Sequence, residues 1–234
     1  MSTAQVPTGF RHFHDQLAEL KQRLLDMSAR SEELIDLAVD SFRMRDAARA
    51  EAVVAGDPEL DAMEIEVEQR AIALLALQQP MAKDLRFIIG AIKVSNDLER
   101  VGDHAVNIAE ATLRLRGTSD GLNRLPTPTP QIDQMARRTK QMLTEALDAF
   151  IRADGALGRA VCKLDDEVDA LNESVFRVLL THMMENPPTI TSSLQLMLVS
   201  RNLERIADLA TNIAEDAVFL AEGKQIKHHA EARP

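Results

Sequence analysis

The sequence predicts an all-α protein built as two tandem three-helix bundles, six helices in all, related by internal duplication. Three observations carry this expectation. The composition is helical: 234 residues include only 9 Gly and 9 Pro, no Trp or Tyr, and 3% aromatics. Strands draw on aromatic and β-branched residues, whereas Ala, Leu, Glu and Arg lose little rotamer freedom in a helix. Apolar residues recur at three- and four-residue steps over long stretches, which is the spacing of one buried helix face. Finally, the chain repeats itself. Residues 95–111 (SNDLERVGDHAVNIAEA) align with residues 200–216 (SRNLERIADLATNIAED), 105 positions later, with ten of 17 positions identical.

The elements follow in order. A first helix runs from Phe10 to about Arg45–Ala48 on the stripe Leu17, Leu20, Leu24, Met27, Leu34, Ile35, Ala38 and Phe42. Gly56-Asp57-Pro58 reads as a break and a new start, with Asp57 as N-cap and Pro58 in the first turn, although Asp46 could instead cap a continuation through the Ala-rich stretch to Ala55. That second helix ends near Gln79-Pro80, and a third spans about 82–115. Gly90 and Gly102 lie inside the third helix, where each costs roughly 1 kcal/mol relative to Ala; close packing against a neighbour accounts for them. Residues 117–130 (GTSDGLNRLPTPTP) hold two Gly and three Pro and read as a linker. The second half repeats the plan with helices over about 131–153, 157–185 and 190–222. The predicted units are thus a first bundle at 10–117, a linker at 118–130, a second bundle at 131–222 and a flexible tail at 223–234. A second alignment, DPELDAM from Asp57 with DDEVDAL from Asp165, has an offset of 108 and places Asp61 opposite Asp169.

Composition also excludes classes of function. The formal net charge is −10, with no run of five basic residues, so nucleic-acid binding, which needs a basic footprint, is not expected. A cation or a basic protein surface suits the charge. The single Cys162 precludes an intrachain disulfide and fits a reducing compartment. The N-terminus lacks the charged and apolar regions of a signal peptide, and no run of about 18 apolar residues could cross a membrane. A cytoplasmic location is expected.

The repeated helix carries two faces. Leu98, Val101, Ala105 and Ile108 form a core stripe; Glu99, Asp103, Asn107 and Glu110 form a polar one, kept in the second copy as Glu204, Asp208, Asn212 and Glu215. Like charges at i, i+4 cost a helix a few tenths of a kcal/mol, so two copies of Glu-x-x-x-Asp invite a reason. An acidic row of oxygens suits a hard or borderline cation such as Mg²⁺, Mn²⁺ or iron, with Asp61 and Asp169 supplying the remainder from the preceding helix. The plain alternative is a solvated acidic face neutralised by Arg100 and Arg205. Asn107 and Asn212 are expected to pack or bridge helices, Glu110 and Glu215 to be solvated, and His104, which becomes Leu209 in the second copy, to lie at a surface or interface. The Met183-Met184 pair reads as core filler and Cys162 as a buried small residue. His228 and His229 fall in the tail. No Glu-x-x-His occurs anywhere, which argues against a di-iron carboxylate oxidase; no phosphate loop or nucleophile elbow is present, and no enzyme activity is expected.

The segment LLALQQPMAKDLRFIIGAIKVSNDLERVGDHAVNIAE, with LVSRNLERIADLATNIAE in the second half, resembles the PhoU family of bacterial phosphate-uptake regulators. The resemblance covers about residues 10–221. It implies two three-helix bundles, often paired as a homodimer, and a cytoplasmic negative regulator of the phosphate-starvation response. Its implied partners are the ATPase subunit of the phosphate ABC transporter and a membrane sensor histidine kinase. Some members carry metal clusters on the paired motifs, which implies a divalent or trivalent ion (Mg, Mn, Fe or Zn) held by Glu99 and Asp103 in one half and Glu204 and Asp208 in the other, with Asp61, Asp84 and Asp169 as additions. The second half departs from the pattern: it has Ala207-Asp208-Leu209 for Gly102-Asp103-His104 and lacks a counterpart of Asp84-Leu85-Arg86. Two readings stay beside this one, a metal-free helical scaffold and a phosphate chaperone, the latter disfavoured because carboxylates repel phosphate.

Overall fold

Two long central helices, each with residues buried on several sides, organise the molecule. The computed structural model describes residues 8–116 and 129–226, and among these every regular element is helical. The first half contains α1 (Thr8–Met44), α2 (Ala47–Gln78) and α3 (Ala82–Arg114). The second contains α4 (Thr129–Arg152), α5 (Gly155–Cys162), α6 (Asp165–Glu185) and, after one 3₁₀ turn at Pro187–Thr189, α7 (Ile190–Glu222). α3 packs on α1, α2 and α7, and α7 on α4, α5, α6 and α3, so one apolar core runs through both halves.

The expected first stripe is buried throughout, from Leu17 to Phe42, as is the α3 stripe Leu98, Val101, Ala105 and Ile108. Both glycines have the packing reason expected of them. A Cβ on Gly102 would stand 2.5 Å from Leu60 Cδ2 of α2, and one on Gly90 2.7 Å from the ring of Phe150 of α4.

Duplication extends beyond the motifs that betrayed it. Arg45 and Ala153 both take left-handed backbone, at φ 53° and 54°. Asp46 and Asp154 follow them, and each carboxylate caps its helix by accepting from the backbone N–H groups two and three residues on. The Ser31 hydroxyl donates to the Leu98 carbonyl and the Thr139 hydroxyl to the Leu203 carbonyl, each at 3.3 Å. These residues are related by the same offsets of 108 and 105.

Several expectations are corrected. Gly56-Asp57-Pro58 does not start a helix: α2 begins at Ala47 under the Asp46 cap and runs through Pro58. A proline forfeits one backbone hydrogen bond, but Val53 and Leu60 on either side are fully buried, and that packing holds the rod together. Conversely, the expected helix at 157–185 is two pieces, with Lys163 and Leu164 between them. The Met pair is not core filler, since Met184 is 78% exposed, and Asn107 and Asn212 are exposed instead of packed. Gly223 closes α7 at φ 70°, its N–H on the Phe219 carbonyl. Ile226 beyond it is buried, within the segment expected to be flexible. Most of the expected linker, and residues 227–234 with His228 and His229, lie outside the described residues.

Candidate functional site

α2 and α3 pack closely because Gly102 lets Leu60 in, and this contact brings two acidic faces together. Asp57, Asp61 and Glu64 sit at successive turns of α2; Glu99 and Asp103 sit one turn apart on α3. Their carboxylates repel one another across the gap. Burial, then Asp103, Glu64, Asp61 and Asp57 in turn, push the Glu99 carboxyl up to about 7. Asp57 is raised by burial and by Asp61 and Asp103. Among the described residues no Lys or Arg pairs with Asp57, Asp61, Glu99 or Asp103; Arg100, the counter-charge of the plain alternative, turns to Asp97 at 3.8 Å. The Asn96 amide donates to Glu64 at 3.2 Å.

The second half rebuilds the cluster from Asp165 and Asp169 on α6 with Glu204 and Asp208 on α7. The Asp165 carboxyl is pushed up to about 6, first by burial and then by Asp169, Asp208 and Asp166. Asp169 and Glu204 are raised as well, each chiefly by burial and then by Asp208. Here one arginine does take part. Arg205 donates to Asp208 at 3.2 Å, and its Nε stands 3.6 Å from Glu204 Oε2. That Glu204 oxygen is buried without a hydrogen-bond donor, a costly state for an ionised group.

Of the residues singled out from sequence, Glu99, Asp103 and Asp61 fall in the first cluster and Glu204, Asp208 and Asp169 in the second. Asp84 joins neither. It lies in the first turn of α3, 15 residues and thus about 22 Å from Glu99, where an acid complements the positive end of the helix dipole. Asp57, Asp165 and Glu64 were missed. The signal was present: Asp57 and Asp165 share the offset of 108 and stand four residues before Asp61 and Asp169, on the same face. The N-cap reading of Asp57 hid it. His104 lies at an interface as expected, its Nδ1 2.9 Å from Asn202 Oδ1 of α7.

Chemically, each cluster is an all-oxygen donor set with too little counter-charge, the character of a hard-cation site. The uncompensated Glu204 oxygen and the raised carboxyls fit a cation. As the side chains stand, however, among the described residues no three His, Cys, Asp or Glu groups are gathered closely enough to hold a metal ion, so binding would need them to draw inward.

Comparison with known proteins decides the family. The sequence model of the PhoU domain matches twice, at residues 24–112 and 132–217. The chain belongs to the PhoU family. It is 38% identical over 216 residues to the phosphate-specific transport system accessory protein PhoU homolog of Caulobacter vibrioides, covering 92% of each chain. It is 36% identical over 215 residues to the homolog of the same name from Clostridium acetobutylicum, covering 92% of this chain and 96% of that one. The fold matches the crystal structure of PhoU from Pseudomonas aeruginosa with a TM-score of 0.84 at 33% identity, over 91% of this chain and all of that one. It also matches the phosphate transport system regulatory protein PhoU from Streptococcus pneumoniae, with a TM-score of 0.83 at 28% identity, over 92% and 99% of the two chains.

Proposed function

We propose that this protein is an accessory regulator of phosphate uptake, a cytoplasmic adaptor that links a phosphate ABC transporter, through its ATPase subunit, to a sensor histidine kinase and restrains the starvation response when phosphate is abundant. The observation that carries the reading is family membership over both halves of the chain, with relatives named as accessory proteins of the phosphate-specific transport system. No described helix is long and apolar enough to cross a membrane, so the action on a transporter is peripheral. It is read as a binding protein, not an enzyme, and as a homodimer.

In this reading Glu99, Asp103, Asp61 and Asp57 hold a divalent or trivalent cation in the first half, and Glu204, Asp208, Asp169 and Asp165 one in the second. A bound cation would supply positive charge and accept the carboxylate oxygens as its ligands. The chain's own carboxylates would then lose their mutual repulsion and draw together across α2 and α3 and across α6 and α7, which would re-shape the surface offered to a partner. The first half is the stronger site because Arg205 already offsets part of the charge in the second. A metal-free scaffold is the second reading, favoured by the spread of the acids. The test is complementation: a strain lacking this protein should over-express a phosphate-repressed reporter, and the wild-type chain should restore repression. Failure to restore it removes the regulatory reading. Restoration by Glu99→Gln/Asp103→Asn equal to wild type supports the metal-free scaffold instead.

A further inference from the structure

We propose that the groove between α6 and α7 is the docking site for an amphipathic, basic-flanked helix of another protein. The internal duplication supplies the comparison that carries this. The groove has a volume of about 730 Å³ and exposes Phe176, Leu194 and Leu198 at 53%, 47% and 39%. The two offsets map it onto a groove of about 510 Å³ beside α2 and α3, in which Glu68 stands for Phe176, Lys93 for Leu198 and Glu64 for Asn172. There, Lys93 is engaged with Asp216 at 3.0 Å. The two copies have diverged at the centre of the groove, where Phe176 and Leu198 are apolar and Glu68 and Lys93 are charged, while Leu194, Leu180 and Ile190 keep exposed apolar counterparts in Ile89, Ile72 and Leu85. Contiguous exposed apolar surface of this kind marks interaction sites.

The groove also states what fits it. Leu180 and Ile190, at 46% and 42% exposure, extend the apolar face toward the end of the α6–α7 hairpin. From Ile190 to Glu204 the face is about 21 Å long, or four turns of a partner helix. At its other end Glu173 is paired with Arg177 at 3.5 Å, but Asp169 and Glu204, with Asp165 and Asp208 behind them, outnumber Arg201 and Arg205, and the buried oxygens Glu204 Oε2 and Gln195 Oε1 have no donor. An apolar stripe at i, i+3, i+4 and i+7 with Lys or Arg at one end complements this surface. A second copy of the chain does not: its net charge is −10, and the groove set against itself would oppose its own acids. The proposal is independent of any cation, although Asp169 and Glu204 belong to both the groove and the second acidic cluster.

The experiment titrates the full chain, in EDTA, with a labelled 15-residue helical peptide carrying a Leu stripe and terminal lysines, read by fluorescence anisotropy. Phe176→Glu/Leu198→Lys, which copies the first half, is the variant. Saturable one-to-one binding that the variant weakens at least tenfold at unchanged Tm is the expected result. Absence of saturable binding, binding that survives the variant, or equal binding of a peptide with Glu for Lys would overturn the proposal. So would sedimentation as a dimer that the variant dissociates, because the occupant would then be a second copy. The chelator keeps all these outcomes separate from the cation reading.

Discussion

Replacing Glu99 by Gln should stabilise the metal-free protein at pH 8 and leave it nearly unchanged at pH 4. Glu99 faces Asp103, Glu64, Asp61 and Asp57 and has its carboxyl raised from 4.5 to about 7. A folded-state value above the unfolded one means that the ionisation penalty is absent below pH 4.5 and grows as pH rises through 7. At 1.36 kcal/mol per unit, the full shift corresponds to about 3 kcal/mol. Glu99 is only partly buried, and solvent screening reduces the expected gain to about 1–2 kcal/mol. Gln keeps the shape and removes the charge. Urea denaturation followed by circular dichroism, in EDTA at the two pH values, measures the difference, with an unchanged m-value as the check on two-state behaviour. A variant that is neutral or less stable at pH 8 would refute the reasoning, as would an equal gain at both pH values, which would locate the effect in packing and not in charge.

Three further outcomes follow from the same contacts. Gly102→Ala should cost about 1 kcal/mol net, overpacking against the fully buried Leu60 outweighing the helix-propensity gain. Adding Leu60→Val, which with Ala at position 102 copies the Val168–Ala207 pair of the second half, should recover that loss; a double variant no better than the single one contradicts the account. Glu66, hydrogen-bonded by Arg23 and Arg70, has its carboxyl lowered to about 2, so its contribution is present above pH 4.5 and fades as pH falls toward 2. Glu66→Gln should therefore lose about 0.5–1 kcal/mol at pH 7 and nothing at pH 2 in denaturant titrations; equal losses at both would deny the ion pairing. Cys162 is half-buried and its thiol is pushed up to about 11, chiefly by burial, so at pH 8 it should react with a disulfide reagent far more slowly than a free cysteine, and labelling as fast as that of free cysteine would contradict this.

The helices were legible in the sequence where one face repeats without interruption, as in α1, α3 and α7. Punctuation misled where packing overrode it. Pro58 sits between Val53 and Leu60, both buried, and does not end α2, while Lys163-Leu164 breaks a helix with no Gly or Pro to announce it. The acidic motif on α3 and α7 was visible from its repetition, and the pairing of Asp61 with Glu99 followed from the second alignment. Asp57 was hidden by its N-cap reading, and Glu64 escaped because its part depends on how closely α2 approaches α3, which is set by the absent side chain of Gly102. Spacing along one helix reveals a face; it does not reveal how near the facing helix lies. The same limit hid the apolar groove, since Phe176, Leu194 and Leu198 carry the periodicity of a core face and only the arrangement of helices leaves them uncovered.

In the proposed function the two acidic clusters hold cations. Thermal unfolding of chelator-stripped protein across a Mn²⁺ titration tests it most directly. A site on the folded state alone adds about 2.7 kcal/mol at one hundred times its dissociation constant. The wild-type Tm should therefore climb with metal, less so in Asp208→Asn and least in Glu99→Gln/Asp103→Asn. A wild-type Tm that stays flat up to millimolar Mn²⁺, or one that climbs equally in all three proteins, would contradict the claim.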